Sequence, residues 1–595
     1  MLLSASALFL VVCFACPTAV YSAFYPAAVP LAVRSPYFQC YADTRASNPT
    51  NKWPQYWTEN KTLGWSGSIR VDGTTFPLWG QFGPATNLSF EVTPTRTVFS
   101  LHANTMDVNV TFLSPIEPSN LVLQSLPFSY VYTDVESNDG QEHSIQLYSD
   151  ISAEWISGDD KSLAKWSTAK TDYLKIHKAA RQSPLSMQEI NSLPEDATVY
   201  YAFPLSNNAT YETGAYSVVR GDFSRNGALF NTLDVEFRAI SDHLVVLSHA
   251  INLSNITSTA SSVVWALGLV RDPVISFNST SVISNRSSYF WTAYNTISDA
   301  IDFFLLDFSD AKQRAIDLDN KIMSDARQIS DSYVDLVTLA ARQALAIDIT
   351  VSKDSKGQWN TSDVMTFMKD VGNSRRVNPV EILYATFPAY LYFNTTWAGY
   401  LLEPLLRYQQ SSQYTETYAA PDLGLLYPII GENNGPSSGA LEDSGNMLIM
   451  GWAHARFSGD HSMISRYYDL YKQWADYLVS STLSPNSYTD ADGLANTNMT
   501  NLVIKGIIGI KAMSEISQAL GKSQDAETYS STAKLYVKQW QTAAGSTGHL
   551  LSAYGATADP SSWSLVYNLF ADKLLGTALV DSSVSTRENQ GHLTY

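Results

Sequence analysis

Residues 442–452 read Glu-Asp-Ser-Gly-Asn-Met-Leu-Ile-Met-Gly-Trp and place two carboxylates and a carboxamide at the start of a helix that is apolar nearly all round. A helix that is hydrophobic on every side is normally buried, and ionised groups at its end must then be paired, coordinated or used in a site. Glu442 and Asn446 are four residues apart, so they share one face of the predicted helix. Acidic residues are also favoured in the first turn of any helix as caps and dipole partners, so the spacing alone leaves both a site and a capping role open.

The sequence before this helix has the period of β-strands. From about residue 30 to 290 apolar and polar residues alternate, and the alternation breaks at turn clusters. This pattern predicts strands at 97–102, 107–112, 143–148, 199–203, 234–237, 243–248 and 263–270. Many short strands of this kind predict a β-sandwich.

After about residue 289 the period becomes helical. Helices are predicted at about 289–308, 311–330, 333–347, 397–411, 441–457, 461–481, 500–521, 524–543 and 561–577. Successive helices with modest loops are typical of antiparallel hairpins, which stack as a solenoid or close into an α/α barrel, and periodicity does not choose between the two. We therefore predict a multidomain β + α protein with a signal peptide at 1–22, a β-sandwich at 23–290 and an all-α domain at 291–595.

Charge and the N-terminus indicate where the protein works. The chain has 595 residues with 56 acidic against 38 basic side chains, and its net charge of −18 works against binding phosphate backbones, so we expect no nucleic-acid partner. Residues 1–16 form an apolar run of signal-peptide length that is too short to span a bilayer comfortably. No membrane span is expected after cleavage of this signal. The interpretation is a secreted protein, either extracellular or associated with the cell wall.

Cysteines and glycosylation acceptors agree with secretion. Cys13 and Cys16 lie in the predicted signal, so Cys40 is the only cysteine of the mature chain and is expected to be free or to pair with another molecule. Acceptors of the form Asn-x-Ser/Thr predict a glycoprotein, although some arise by chance in a chain rich in these residues. They are Asn60, Asn87, Asn109, Asn208, Asn252, Asn255, Asn278, Asn285, Asn360, Asn394 and Asn498.

Familiar catalytic motifs are absent or isolated. The chain has no His-Glu-x-x-His, no P-loop and no paired Cys-x-x-Cys motifs, and its nine histidines lack metal-ligand spacing. We therefore predict no metal and no organic cofactor. Copies of Ser-x-x-Lys lack their partner motifs, and the Gly-x-Ser-x-Gly at 435–439 follows no strand, so we attribute both to chance.

The acidic residues near the buried helix are better candidates for chemistry. Two carboxylates supply the acid and base that hydrolysis needs when burial separates their pKa values. At the mouth of an α/α barrel this is the arrangement that many glycosidases use, so a glycoside hydrolase is one alternative, and a non-catalytic secreted glycan-binding protein is another. The candidates are Asp422, Glu442 and Asp443, with Glu381, Asp490 and Asp492 on neighbouring loops.

Short motifs spread along the chain resemble one family. Through them the sequence is similar to the secreted fungal glutaminase A family across nearly its whole length. The resemblance implies an N-terminal β-sandwich followed by an all-α (α/α) toroid like that of six-hairpin glycosidases. Relatives continue beyond Tyr595, so a toroid that is incomplete at its C-terminus is also expected, and Ser444 stands where the family usually has Cys. The motifs are Pro-Leu-Ala-Val-Arg-Ser-Pro-Tyr at 30–37, Trp-Pro-Gln-Tyr-Trp at 53–57, Gly-Trp-Ser-Gly-Ser-Ile-Arg-Val-Asp-Gly at 64–73, and further stretches at 266–273, 333–343, 401–405, 422–424, 442–448 and 500–507.

The activity that the resemblance implies is that of a glutaminase, a hydrolase of a linear carbon–nitrogen amide bond that converts L-glutamine to L-glutamate and ammonia. For an attack by water, we expect Glu442 to be the general base and Asp422 or Asp443 to be the acid that protonates the leaving ammonia. Asn446 is expected to bind the substrate amide or the developing oxyanion.

The small-molecule substrate also carries a carboxylate, and a guanidinium is well shaped to bind it. The candidates are Arg34, Arg70 and Arg342. Each arginine is more often structural, because salt bridges outnumber ligand clamps. The sequence leaves the oligomeric state open.

Overall fold

The structure is a computed structural model, and it describes most of the chain. The described residues are 26–581 and 584, apart from 46–48, 57–60, 81–87, 279–282, 371–373, 432, 486–487, 546–548, 556–557 and 582–583. The expected signal peptide at 1–22 with its two cysteines, and the acceptors Asn60 and Asn87, lie outside these residues. Among the helices that are described, none is long and apolar enough to cross a membrane.

The first part of the described chain consists mainly of β-strands. Two short helices, α1 Leu121–Ser125 and α2 Tyr216–Asn226, lie between them. The strands are β1 Ala28–Ser35, β2 Phe38–Asp43, β3 Gln55–Tyr56, β4 Lys61–Thr62, β5 Trp65–Val71, β6 Thr74–Trp79, β7 Leu88–Val92, β8 Arg96–Ala103, β9 Met106–Leu113, β10 Phe128–Ser137, β11 His143–Ser152, β12 Ala164–Lys170, β13 Leu174–Arg181, β14 Glu189–Ile190, β15 Leu193–Pro194, β16 Thr198–Pro204, β17 Ala209–Ala215, β18 Val245–Ile256, β19 Val263–Val270, β20 Ile275–Asn278 and β21 Ile283–Ser288.

Two sheets form the predicted sandwich. An eight-stranded sheet in the order β12-β13-β16-β19-β10-β9-β8-β7 packs against a five-stranded sheet in the order β17-β18-β11-β5-β6. Strand β9 shows why the sheets pack face to face. Its residues Val108 and Val110 are buried, while the alternate residues Asp107 and Asn109 are exposed. Trp65 of β5 meets Phe112 of β9 edge to face across the sandwich, with ring centroids 5.1 Å apart.

The predicted strand at 234–237 is wrong. These residues are extended but belong to no strand. The amide of Asp234 donates to the Thr213 hydroxyl over 2.9 Å, and the Asp234 carboxylate pairs with Arg238 at 2.7 Å. Thr213 belongs to the edge strand β17, but pairing with it is limited to an isolated bridge at Leu233, so no further strand forms.

The second part of the described chain is mainly helical. Its helices are α3 Ile297–Leu306, α4 Phe308–Arg327, α5 Asp331–Ala344, α6 Val380–Phe393, α7 Thr395–Gln410, α8 Ala440–Ser458, α9 Ser462–Arg466, α10 Tyr468–Ser481, α11 Thr500–Ala519, α12 Ser523–Ala544 and α13 Phe570–Leu575. Its strands are β22 Ile347–Lys353, β23 Trp359–Met368, β24 Ile429–Ile430, β25 Tyr488–Thr489 and β26 Ala495–Asn496.

The elements that the sequence analysis missed here include the hairpin of β22 and β23 and helix α6. The hairpin of β22 and β23 turns at Asp354, whose Oδ1 accepts hydrogen bonds from the amides of Lys356 and Gln358, and Gly357 has a φ of +77°. Helix α6 contains Pro388, a residue that normally breaks a helical pattern. The hairpin thus has a local turn signal, whereas α6 forms in spite of its internal proline.

A mixed sheet connects the β-rich and helical parts. Its order is β23-β22-β21-β20-β24, so it takes strands from both sides of the domain boundary expected after residue 290. That boundary stays a prediction. Strand β24 pairs in parallel with β20, with Ser276 opposite Ile429, and this pairing anchors the loop that precedes α8.

Helix α8 lies at the centre of the helical part. It packs against α6, α7, α9, α10, α11 and α13. All of its residues from Ala440 to Gly451 are buried, so the predicted burial of an all-round apolar helix is confirmed.

Cys40 is buried within the core, where it is free. Burial raises the pKa of its thiol well above the usual value, so a bond to a second molecule is disfavoured. Of the glycosylation acceptors that the structure describes, Asn109, Asn208, Asn252, Asn255, Asn285 and Asn360 are exposed, and Asn278, Asn394 and Asn498 are half-buried. The Asn394 amide caps α7 and donates to the Pro118 carbonyl over 2.7 Å, which makes it a poor acceptor.

Two histidines lie buried against each other inside the sandwich. The ring centroids of His177 on β13 and His249 on β18 are 4.3 Å apart. His177 Nε2 donates to the Ser248 carbonyl over 3.0 Å, and the Thr168 hydroxyl lies 2.7 Å from its Nδ1. Burial lowers the pKa of His177 to about 4 and that of His249 well below its usual value.

We expect this pair to make the sandwich sensitive to acid. Because the folded-state pKa of His177 lies below that of the unfolded chain, the unfolded chain binds more protons between those values, and stability is lost as the pH falls from about 6.5 to 4. The loss from His177 is roughly 3 kcal/mol. His177→Gln should lower the melting temperature at pH 7 but flatten its decline with acid, measured beside the exposed control His243→Gln. Equal slopes in parent and variant would contradict this account.

Candidate functional site

The site begins where helices α8 and α11 cross at unusually close range. A Cβ atom added to Gly509 of α11 would lie 3.0 Å from the Cα of Gly445, and one added to Gly445 would lie 2.7 Å from Cγ of Lys505. Only glycine leaves this space. The crossing lays the aliphatic stem of Lys505 across α8 and carries its ammonium to the N-terminal end of that helix.

Lys505 joins the polar residues of α8. Its Nζ lies 2.6 Å from Asn446 Oδ1 and 3.3 Å from Glu442 Oε1. The same atom lies 3.3 Å from the centroid of the Tyr384 ring on α6. The predicted sharing of one helix face by Glu442 and Asn446 is confirmed, since both contact one ammonium. All three polar side chains are at least 97% buried.

On α8, two side-chain atoms of this cluster lack a partner. Glu442 Oε2 and Asn446 Nδ2 are buried, and neither has a hydrogen bond within the described part of the chain. Buried polar atoms are nearly always bonded, because desolvation without a partner costs roughly 1–3 kcal/mol. One acceptor and one donor are therefore available to a bound molecule, one helical turn apart.

A second group of charges lies on the α6 side of Asp443. Arg376, just before α6, donates from Nε to Asp422 Oδ2 over 2.9 Å and from Nη2 to Glu381 Oε2 over 3.0 Å. Asp422 Oδ1 also accepts from Asn433 at 2.6 Å and from the Gly424 amide at 2.8 Å. Glu381 lies in the first turn of α6 and not on a loop.

The two adjacent carboxyls of α8 have different surroundings. Burial raises the pKa of Asp443 well above its usual value, and the neighbouring Glu381 and Glu442 raise it further. Burial also raises the pKa of Glu442, and Asp490 and Asp492 add to this, while Lys505 lowers it. Two adjacent carboxyls with different surroundings, one of them beside a cation, are groups that acid–base catalysis can use.

The sequence is similar to known proteins along nearly its whole length. It is 35% identical over 599 residues to glutaminase A of Aspergillus oryzae, a match that covers 97% of this chain and 85% of that protein. The chain belongs to the glutaminase A family. Residues 330–593 match the glutaminase A six helical-hairpin domain, and residues 95–325 match a domain of unknown function, DUF5127. A "Probable glutaminase" of Arthroderma benhamiae is 27% identical over 651 residues and covers 92% of this chain and 73% of that protein.

Membership of the glutaminase A family confirms the expected β-rich region followed by a six-hairpin helical region. Among solved structures, a bacterial glucoamylase complexed with acarbose is 12% identical, with a TM-score of 0.46, over 90% of this chain and 72% of that one. A family GH92 alpha-mannosidase from Bacteroides thetaiotaomicron is 12% identical, with a TM-score of 0.36, over 83% and 60%. Neither likeness is close enough to assign a fold or an activity.

The three arginines of this chain that we expected to bind the substrate carboxylate lie outside the site. Arg34 donates to the carbonyls of residues 115, 123, 124 and 126, and Arg342 to those of residues 30, 93, 94 and 96. Arg70 bonds Gln146 Oε1 at 3.1 Å and the carbonyls of residues 224 and 225. The suggestion is corrected, because these guanidiniums stabilise backbone and contact none of the described carboxylates of the site.

Lys505, Arg376 and Tyr384 are the residues that sequence reasoning missed. A single lysine within the apolar run at 502–510, beside Gly506 and Gly509, was a usable signal, because a lysine on a buried helix must be paired. Arg376 gave no such signal, since it reaches Asp422 across 46 residues of chain.

We expect Gly445→Ala to destabilise the protein. Alanine normally favours a helix by about 0.5–1 kcal/mol over glycine, but here the new methyl group would collide with Lys505. The net cost should be about 1–3 kcal/mol, which lowers the melting temperature by a few degrees. Gly435→Ala is the control, since an added Cβ there meets nothing within 4 Å. An unchanged or raised melting temperature for Gly445→Ala would show that the crossing tolerates a methyl group.

Proposed function

We propose that this chain is a glutaminase that hydrolyses L-glutamine to L-glutamate and ammonia by attack of water on the side-chain amide. The observation that carries the proposal is the pair of unpartnered atoms, Glu442 Oε2 and Asn446 Nδ2, one turn apart on a buried helix. Membership of the glutaminase A family supports the choice of an amide as the substrate.

Glu442 is the proposed general base. Its Oε1 lies beside Lys505, so the free Oε2 is the oxygen available to take a proton from water. The hydroxide that results attacks the amide carbon, and the carbonyl oxygen gains a negative charge. Asn446 Nδ2, a donor without a partner, stabilises that oxyanion.

Asp443 is the proposed acid, in preference to Asp422. Asp422 accepts hydrogen bonds from Arg376, Asn433 and the Gly424 amide, so its oxygens already serve as acceptors. Asp443 retains a proton because its pKa is raised by burial and by neighbouring carboxylates. It donates this proton to the amide nitrogen as the carbon–nitrogen bond breaks. The new carboxylic acid reprotonates Asp443, and the proton on Glu442 leaves with ammonia as ammonium.

The proposed place of action is outside the cell. This rests on the apolar run at 1–16 and on the exposed glycosylation acceptors. The activity assays below therefore start from protein recovered from the medium of a secreting host.

Glu442→Gln should abolish ammonia release from L-glutamine. The variant keeps the shape of the side chain but removes the base, and general bases contribute typically about 10²–10⁴-fold to the rate. Ammonia release is measured beside Glu403→Gln, in which a buried glutamate outside the site loses its charge next to Arg407 but keeps an oxygen that can accept from Tyr467. Circular dichroism checks that both variants fold.

Two outcomes would contradict the proposed function. Full ammonia release by Glu442→Gln would remove Glu442 from the mechanism. A parent protein that releases no ammonia from glutamine but cleaves a member of an oligosaccharide panel would instead assign the carboxylates to glycoside hydrolysis.

We expect a bell-shaped dependence of kcat/KM on pH. The rate should rise with pH as Glu442 loses its proton, at a pH above the usual 4.5 because its pKa is raised. It should fall again as Asp443 loses its proton, and Asp443→Asn should remove this high-pH limb and lower kcat by about 100-fold. If Asp422→Asn removes the limb and Asp443→Asn keeps it, Asp422 is the acid.

A further inference from the structure

Lys505 has no role in the reaction described above, yet it is completely buried at the centre of the site. Lysine is almost never fully buried unless it is paired, because removing an ammonium from water is costly. Its three N–H bonds have three neighbours: Glu442 Oε1, Asn446 Oδ1 and the face of the Tyr384 ring. An ammonium with every donor engaged acts through these neighbours and leaves none for a substrate.

The contact with Asn446 fixes the orientation of the amide. Lysine only donates hydrogen bonds, so the atom of Asn446 that lies 2.6 Å from Nζ must be the oxygen. The amide nitrogen is then turned away from Lys505, and this is the atom without a partner. Without the lysine, either end of the amide would be free to face the substrate.

The contact with Glu442 fixes the charge of the base. Two acidic residues on the loop before α11, Asp490 and Asp492, raise the pKa of Glu442, and the nearby Asp443 and Tyr567 carry no positive charge that would offset them. Burial and these neighbours favour the protonated carboxyl, which is useless as a base. The ammonium of Lys505 opposes them at 3.3 Å.

We propose that Lys505 is the positioning residue of this site, which holds Glu442 as a carboxylate and presents the Asn446 amide nitrogen to the substrate. One cation thereby prepares both the base and the oxyanion donor before any substrate binds. The inference rests on the proposed function, because it assigns Lys505 a role in preparing that same reaction.

The test is the dependence of kcat/KM on pH for Lys505→Met, which keeps the apolar stem and removes the charge. We expect kcat/KM to fall by about 100-fold at neutral pH, because Asn446 is no longer held as the oxyanion donor and the loss of one such donor costs about that much. The pH at which kcat/KM rises on the acid side should increase by about one unit or more, because the pKa of Glu442 rises when its neighbouring cation is removed. Lys511→Met is the matched control, since Lys511 lies on the same helix and pairs with Glu515. If kcat/KM fell equally at every pH and the acid-side limb stayed at the same pH, Lys505 would have only a packing role.

Two further variants keep the test decisive if Lys505→Met does not fold. Lys505→Arg retains the charge and should leave the low-pH limb near its position in the parent, even if kcat falls. Asn446→Leu removes the amide but leaves the lysine beside Glu442, so it should lower kcat without moving the limb. A limb that moves equally in Lys505→Arg and in Asn446→Leu would overturn the proposal.

The charge of Glu442 can also be observed without turnover. Infrared difference spectra with ¹³C-labelled glutamate, using Glu442→Gln to identify the band, should show a carboxylate in the parent and a protonated acid in Lys505→Met at the same pH. Failure of the parent to hydrolyse glutamine would reject the proposed function and leave this measurement intact. A Glu442 band that does not change with Lys505 would reject the role of the lysine alone.

Discussion

The burial of α8 on every side is the constraint on which the rest of the site depends. A carboxylate taken out of water costs several kcal/mol unless a cation and further hydrogen bonds compensate it. The structure provides one cation on each side of the helix start, the fully buried Lys505 towards α11 and the half-buried Arg376 towards α6. The two cations are positioned differently. Lys505 is placed by the close contact of α8 and α11 at their glycines, and Arg376 lies on a loop that is hydrogen-bonded to Asp422.

Neighbouring residues on a helix project about 100° apart, so an adjacent acidic pair does not share one environment. Glu442 points towards Lys505 and the loop with Asp490, while Asp443 lies among Glu381, Arg376 and Asp422. The backbone thus places two chemically similar groups in different surroundings, one beside a buried cation and the other among further carboxylates. In the proposed mechanism, two adjacent codons are therefore enough to encode an acid and a base on one buried helix.

Much of this arrangement was predictable from local pattern. The period-two region became the sandwich, the apolar helix at 442–452 is buried, and Glu442 and Asn446 share a face because a four-residue spacing fixes that geometry. Contacts between distant segments were not predictable. Arg34 and Arg342 have the chemistry of a carboxylate clamp but bind backbone carbonyls, and Arg376 shows its role only once the loop with Asp422 folds against it. Segment 234–237 alternates like a strand, yet only its neighbour Leu233 forms a bridge to the edge strand β17, at Thr213.

The short parallel pairing of β24 with β20 has a consequence for how this protein can change in evolution. The segment that carries Asp422 runs directly into β24, and β24 takes its partner from the β-rich part of the chain. The wall of the site is therefore built jointly by residues far apart in the gene. Recombination that exchanged only the helical half between two relatives would pair β24 of one relative with β20 of the other, so the two halves are inherited most safely as a single unit.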